Sequence, residues 1–106
     1  MRAATYRAKG PAADVLRIET APTVEPELGD VRVRVAYSGV NPSDVKSRAG
    51  TASATMDYSL VVPHSDGAGT IDALGPLVIS RRVGQRVWLF NGQRNGRAFG
   101  TAAEYI

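Results

Sequence analysis

Residues 30–44 read Asp30-Val-Arg-Val-Arg-Val-Ala-Tyr-Ser-Gly-Val-Asn-Pro-Ser-Asp44, and this stretch decides how the chain is read. Val31, Val33 and Val35 alternate with Arg32 and Arg34, the two-residue period of a strand with one dry and one wet face. The pattern predicts a strand over 30–40. Pro42 fixes φ and removes a backbone donor, so the ladder must stop there. The same proline suits the first turn of a helix, with Asn41 as its N-cap. A short helix is expected over 43–49, closed by Gly50, which adopts the left-handed conformation that ends many helices. A rigid strand thus delivers Asn41 and Asp44 side by side. They suit a polar ligand such as a ribose or an amide. They equally suit local work, with Asn41 as a cap and Asp44 near the positive end of the helix dipole.

Working outward, residues 51–60 show neither period and predict a mobile surface loop carrying Met56 and Tyr58. Pro63-His-Ser-Asp-Gly-Ala-Gly69 predicts a second Gly-rich turn presenting Ser65 and Asp66, followed by a strand over 68–74 that Gly75-Pro76 ends. A connection at 77–83 leads to a strand over 86–90, in which Trp88 and Phe90 share parity and are expected in the core. Asn91-Gly92 and Asn95-Gly96 are turn dipeptides of a hairpin-like loop, with a last strand over 98–106. On the N-terminal side, a strand over 2–8 ends at Gly10-Pro11. A strand-like piece over 14–20 puts Leu16 and Ile18 on one face and Arg17 and Glu19 on the other. Pro22, Pro26 and Gly29 make 21–29 an extended loop. Many short strands at even spacing predict a mostly β fold, a barrel or a sandwich.

Bulk properties narrow the function. The chain has 106 residues, one domain's worth, and 43% of them are hydrophobic, enough for a packed core. The net charge is +3, but Arg32, Arg34, Arg81, Arg82, Arg86, Arg94 and Arg97 are scattered rather than clustered. That is the wet face of strands, not a nucleic-acid footprint. There is no cysteine, which excludes disulfides and thiolate metal sites and fits a reducing compartment. His64 is the sole histidine, too few for a zinc site of the usual kind. A Ser65-His64-Asp66 triad fails because adjacent residues on an extended chain point to opposite faces. Gly67-Ala-Gly69 lacks the full dinucleotide fingerprint and marks a bulge or a tight corner instead. The opening residues lack a signal-peptide core, and no apolar run nears the roughly 18 residues that span a bilayer. A cytoplasmic protein with no membrane partner is expected.

The motifs in order resemble one family. They are Arg2-Ala-Ala, Gly10-Pro-Ala-Ala-Asp-Val-Leu16, Gly29-Asp-Val-Arg-Val-Arg-Val35, Ser38-Gly-Val-Asn-Pro-Ser-Asp44, Pro63-His-Ser-Asp-Gly-Ala-Gly69, Val83-Gly-Gln-Arg-Val87 and Ala103-Glu-Tyr105. Their order and spacing resemble the N-terminal, GroES-like domain of the medium-chain dehydrogenase/reductase superfamily, nearest its zinc-free quinone oxidoreductase branch. The resemblance covers nearly the whole chain and implies a partly open GroES-like β-barrel over 1–106 with one short helix. Zinc-dependent members carry a Cys at the Asn41 position and a His at the Ser65 position, so the resemblance implies a metal-free reductase. It also implies that Asn41, Pro42 and Ser65 border the nicotinamide of NADP(H), and that Asp44 supports Asn41. Tyr58, in the loop after Gly50, would wall the substrate pocket.

Two departures stand out: His64 occupies a position usually glycine, and Gly84-Gln-Arg-Val87 replaces Gly-Asp-Arg-Val. The Rossmann domain that follows in the family, and binds most of the cofactor, is not within these residues. The expected parent is therefore an NADPH-dependent quinone or activated-alkene oxidoreductase, a homodimer, with these 106 residues alone inactive. A stand-alone binding or assembly module is the alternative, because the chaperonin co-factor shares the barrel. A reductase of enal or acyl-thioester substrates is a third possibility.

Overall fold

A computed structural model describes residues 1–93 and 96–106. Two antiparallel sheets organise it. The first pairs β1 (Arg2–Thr5) with β2 (Arg17–Thr20), and the second has the order β3 (Val31–Gly39), β4 (Asp66–Leu74), β5 (Arg86–Leu89). Helices α1 (Ala12–Val15) and α2 (Pro42–Ala49) complete it. The fold is mostly β, with sheets that do not close into a full barrel, as the GroES-like expectation requires.

The closing segment ties the two sheets together. Ala4 N–H donates to Ala102 O (2.8 Å) and Glu104 N–H to Arg2 O (3.1 Å), so this segment runs beside β1. On its other side Val35 N–H donates to Glu104 O (2.8 Å) and Val33 N–H to Ile106 O (2.7 Å). The strand expected over 98–106 is not regular: its pairings are isolated bridges at Phe99, Ala103 and Tyr105. Two neighbours on different sheets pull this segment from both sides, so it never keeps one ladder for long.

The core is small. Val33, Val62 and Ile71 are almost fully buried, with Ala3 and Ala21 packed beneath Phe99, Ala102 and Ala103. Burying each of the larger three contributes about 1.5–3 kcal/mol. Val33 confirms the dry parity of β3. Arg32, on the expected wet face, is nonetheless half-buried: it forks onto Asp72 (2.9 and 3.0 Å), reaches Glu25 (2.9 Å) and lies over the Tyr105 ring.

Two bulges shape the β3–β4 ladder. Asp72 is the extra residue between the Arg32–Ala73 and Val33–Ile71 pairs, and Ala36 the extra one between Val35–Gly69 and Tyr37–Ala68. One bulge lies on each strand, so the second restores the register that the first shifts. The expected Gly-rich turn is therefore strand: Gly67 and Gly69 lie inside β4, where the bulge brings the strands close. A side chain at Gly69 would run into the Arg34 carbonyl, and a Cβ at Gly67 would sit 2.6 Å from Tyr37 O.

Three further expectations need correcting. The piece over 14–20 is not one strand, because Asp14 and Val15 belong to α1. Pro11 sets φ for a helical start, Ala12 and Ala13 are strong helix formers, and Arg17 reaches back to Asp14 O (2.8 Å). Among the described residues there are thus two helices, not one. Two residues of β2 depart from the expected faces: Ile18 is exposed, whereas Glu19 turns toward buried Thr5 (2.5 Å) and Arg7 (2.6 Å). Finally, Trp88 and Phe90 do share a face, but they are 78% and 75% exposed and not core. Nothing in these residues covers that face. Of the 91–97 turn, the Asn95 position lies outside the described residues.

Candidate functional site

The end of β3 and the start of α2 build the site. Asn41 is the N-cap of α2 and Pro42 its first residue, while Asp44 reaches back to accept the Asn41 N–H at 2.7 Å, the return half of a capping box. Gly50 closes the helix at φ 84°, with its N–H on Lys46 O (3.1 Å). Asp44 is buried, and its carboxylate braces the helix start.

Asn41 itself is turned elsewhere. Its Nδ2 donates to Asp66 Oδ2 at 2.7 Å, and Asp66 Oδ1 accepts the Asn91 N–H at 2.9 Å. Asp66 is thus a hub that fixes α2, β4 and the turn after β5 to one point. The Asn91 N–H and the Asn41 amide hold its carboxyl below the usual carboxylate range, against the opposing effect of partial burial.

A second chain of hydrogen bonds runs beside it. Thr101, fully buried, bonds through Oγ1 to Asp66 O at 2.7 Å; Ser38 Oγ lies 2.9 Å from Thr101 Oγ1 and 2.8 Å from His64 Nδ1. A carbonyl oxygen only accepts, which sets every proton in the chain. The Thr101 hydroxyl donates to Asp66 O, so Ser38 O–H donates to Thr101. Ser38 Oγ must then accept from His64 Nδ1–H. His64 sits at φ 76°, in the left-handed region that favours glycine. Its carbonyl accepts the Thr101 N–H (2.8 Å), and any side chain at Gly100 would strike that carbonyl.

Of the expected site residues, Asn41, Pro42 and Asp44 therefore converge with Asp66. Ser65 lies between His64 and Asp66 in the chain, and its carbonyl takes the Gly92 N–H (2.6 Å). Tyr58 is not part of this group. It lines a separate hollow of about 180 Å³ with Tyr6, Lys9, Met56 and Gln93. The sequence reading missed Ser38 and Thr101. The Ser38–Gly39 step before the proline turn was visible, but no spacing rule brings Thr101 to it.

A groove of about 580 Å³ is lined by Leu77, Ile79, Trp88, Phe90 and Ile106 among others, and reaches this polar group at Asn91 and Gly92. Among the described residues no cluster of three or more His, Cys, Asp or Glu is arranged for a metal ion. No helix among them is long and apolar enough to cross a membrane. The site offers an oriented amide, a carboxylate, hydroxyls and one imidazole, which suit hydrogen bonding to a polar organic group. It offers no phosphate cradle, because Gly67 and Gly69 are paired inside β4 and no helix begins there.

A partly open pair of sheets, tied by its closing segment and carrying a polar cluster at the strand–helix junction, defines a GroES-like domain. The chain belongs to the alcohol dehydrogenase GroES-like domain family, whose pattern matches residues 27–106. It is 38% identical over 84 residues to a sorbitol dehydrogenase of Bombyx mori, covering 77% of this chain and 24% of that protein. It is 32% identical over 110 residues to a chloroplastic NADPH-dependent alkenal/one oxidoreductase of Arabidopsis thaliana, covering 99% of this chain and 28% of that protein. The structure of a mycobacterial quinone oxidoreductase superimposes with a TM-score of 0.78 at 28% identity, over 99% of this chain and 30% of that one. The chain spans about a quarter to a third of the length of these relatives.

Proposed function

We propose that these residues are the N-terminal catalytic-domain part of an NADPH-dependent oxidoreductase that reduces quinones or activated alkenes without zinc. The observation that carries the reading is the Asn41–Asp66 hydrogen bond of 2.7 Å. It puts a neutral, oriented amide where the resemblance implies a thiolate in zinc-dependent members. An amide and a serine in place of Cys and His are a donor set for hydrogen bonding and not for holding zinc. The likeness to the alkenal/one reductase and the quinone reductase supports the same choice over polyol oxidation.

The residues present suit only the nicotinamide end of NADPH. Asn41, Pro42 and Ser65 would border that ring and its ribose, while the diphosphate needs a site elsewhere in the parent. The cofactor supplies hydride; the protein's task is to place and polarise the acceptor. Asn41 orients the ring or the acceptor, with Asp44 fixing its backbone and Asp66 its side chain. Tyr58 is assigned to the outer wall of the acceptor pocket. The parent is read as a cytoplasmic homodimer acting on a small quinone or enone, and the 106 residues alone as inactive.

The test is NADPH oxidation by the full-length protein with quinones and 2-alkenones, set beside polyol oxidation with NAD or NADP. Asn41→Ala is expected to lower kcat/KM by on the order of 10-fold or more, the loss of one or two kcal/mol of positioning. Unchanged kinetics would remove Asn41 from the site. A specific observation keeps one alternative in view: the exposed Trp88, Phe90 and Ile79 surface also fits an assembly module. Ring formation by the 106-residue chain in sedimentation, with no reductase activity in the full-length protein, would favour it.

A further inference from the structure

His64 is the residue of the site that local physics least explains. A non-glycine residue in the left-handed region is strained and persists only where its surroundings over-determine it. Here they do: its carbonyl is held by Thr101 N–H (2.8 Å) and its ring by Ser38 (2.8 Å). Glycine would relieve the backbone at once, so the side chain is what the position keeps.

The direction of the hydrogen-bond chain says what that side chain can do. His64 donates Nδ1–H to Ser38, and it does so whether the ring is neutral or charged. The other ring nitrogen, Nε2, has no hydrogen-bond partner among the described residues. A proton can leave or join Nε2 without breaking a bond or turning the ring. The ring is half-buried, open enough for solvent to recharge it. The nearest carboxylate in the chain, Asp66, is occupied by Asn41 and Asn91 and not by the imidazole. This arrangement also rules out Ser38 as a nucleophile activated by His64, since Ser38 accepts from the ring.

We propose that His64 is the acid that protonates the acceptor after hydride arrives. The proposal rests on the reductase reading above and adds a catalytic residue to it. In an alkene conjugated to a carbonyl, hydride from the reduced nicotinamide forms a C–H bond at the β carbon, and the π pair moves toward the carbonyl oxygen as an enolate. The α carbon then takes the proton of His64 Nε2–H. That N–H bond breaks, a C–H bond forms, and the imidazolium becomes neutral imidazole until water returns a proton. The nicotinamide loses two electrons and the alkene gains them.

Two measurements on the full-length protein test this. The first needs no turnover: nitrogen NMR of the histidine ring is expected to show the Nδ1–H tautomer when neutral, and Ser38→Ala to admit the other tautomer. The Nε2–H tautomer in the unsubstituted protein would overturn the proposal. The second compares His64→Gln and His64→Gly with a 2-alkenone. Loss of a general acid is expected to lower kcat on the order of 100-fold, with KM for NADPH little changed and added imidazole restoring part of the rate to His64→Gly. Glycine suits φ 76°, so that variant folds. Full rates in both variants would end the proposal and leave the reductase reading standing. A loss that imidazole does not restore would assign His64 a structural role and equally end it. Absence of NADPH oxidation by the unsubstituted protein with any enone or quinone would sink the reductase reading and this inference with it.

Discussion

The junction at Asp66 and the flank around β5 are opposite kinds of surface. At the junction, polar groups from β3, α2, β4 and the closing segment meet, and the chain satisfies them itself: Asp66 alone takes Asn41, Asn91 and Thr101. Around β5, the edge strand of a three-stranded sheet, the chain leaves Trp88 at 78% exposure, with Ile79 in the preceding connection at 96% and Phe90 just after the strand at 75%. Hydrogen bonds are short-ranged and pair one group with one group, so a few residues complete them. Apolar area is removed from water only by more area, and these residues do not supply it. The first region is finished within the chain. The second leaves its apolar area bare among the described residues.

The comparison breaks most readily at Thr101. Thr101→Val keeps the shape but strips a fully buried hydroxyl, taking from Asp66 O this donor and from the Ser38 O–H its acceptor. The expected loss is about 1–3 kcal/mol, read from the denaturation midpoint. A change near zero would mean that the junction is not held from within. Asp66→Asn sharpens the same point through pH. The folded-state pKa of Asp66 lies below its unfolded value, so its stabilisation is present above the ordinary aspartate range and fades as pH falls through the folded value. The substituted chain should therefore be less stable than the unsubstituted one at neutral pH, with the gap narrowing as pH falls below the ordinary aspartate range. A gap that is constant with pH would show that the charge of Asp66 contributes nothing.

The smallest effect is expected on the flank. Trp88→Ser with Phe90→Ser should change the stability of the 106-residue chain by only about 0.5 kcal/mol, as for exposed positions generally. The same pair of changes should cost the full-length protein distinctly more. Equal effects in the two would mean that this face stays bare in the parent.

Local physics made much of this legible. The alternation of Val31, Val33 and Val35 gives β3, and Asn41, Pro42 and Gly50 give α2 with both its ends, because these signals act within a few residues. The two glycines at 67 and 69 were legible as a special place, but they pointed to a turn where the structure has strand, with the bulge residue, Ala36, on the facing β3. Parity told that Trp88 and Phe90 share a face but not which face, since period 2 carries no sign. Ile18 and Glu19 misled for the same reason. Ion pairing and a buried threonine drew Glu19 inward against hydropathy.

The site divides along the same line. The sequence by itself determined the strand, the capped helix, the absence of thiolate ligands and the pairing of Asn41 with Asp44, which are three residues apart. Only the tertiary structure decided that Asn41 answers to Asp66, 25 positions on, that Ser38 meets His64 and Thr101, 26 and 63 positions on, and that Tyr58 stands apart. The reason is the two bulges and the doubly bridged closing segment, which set which distant backbones touch. Backbone geometry repeats every few residues and can be read along the chain. The meeting of two distant segments depends on how every intervening turn is packed.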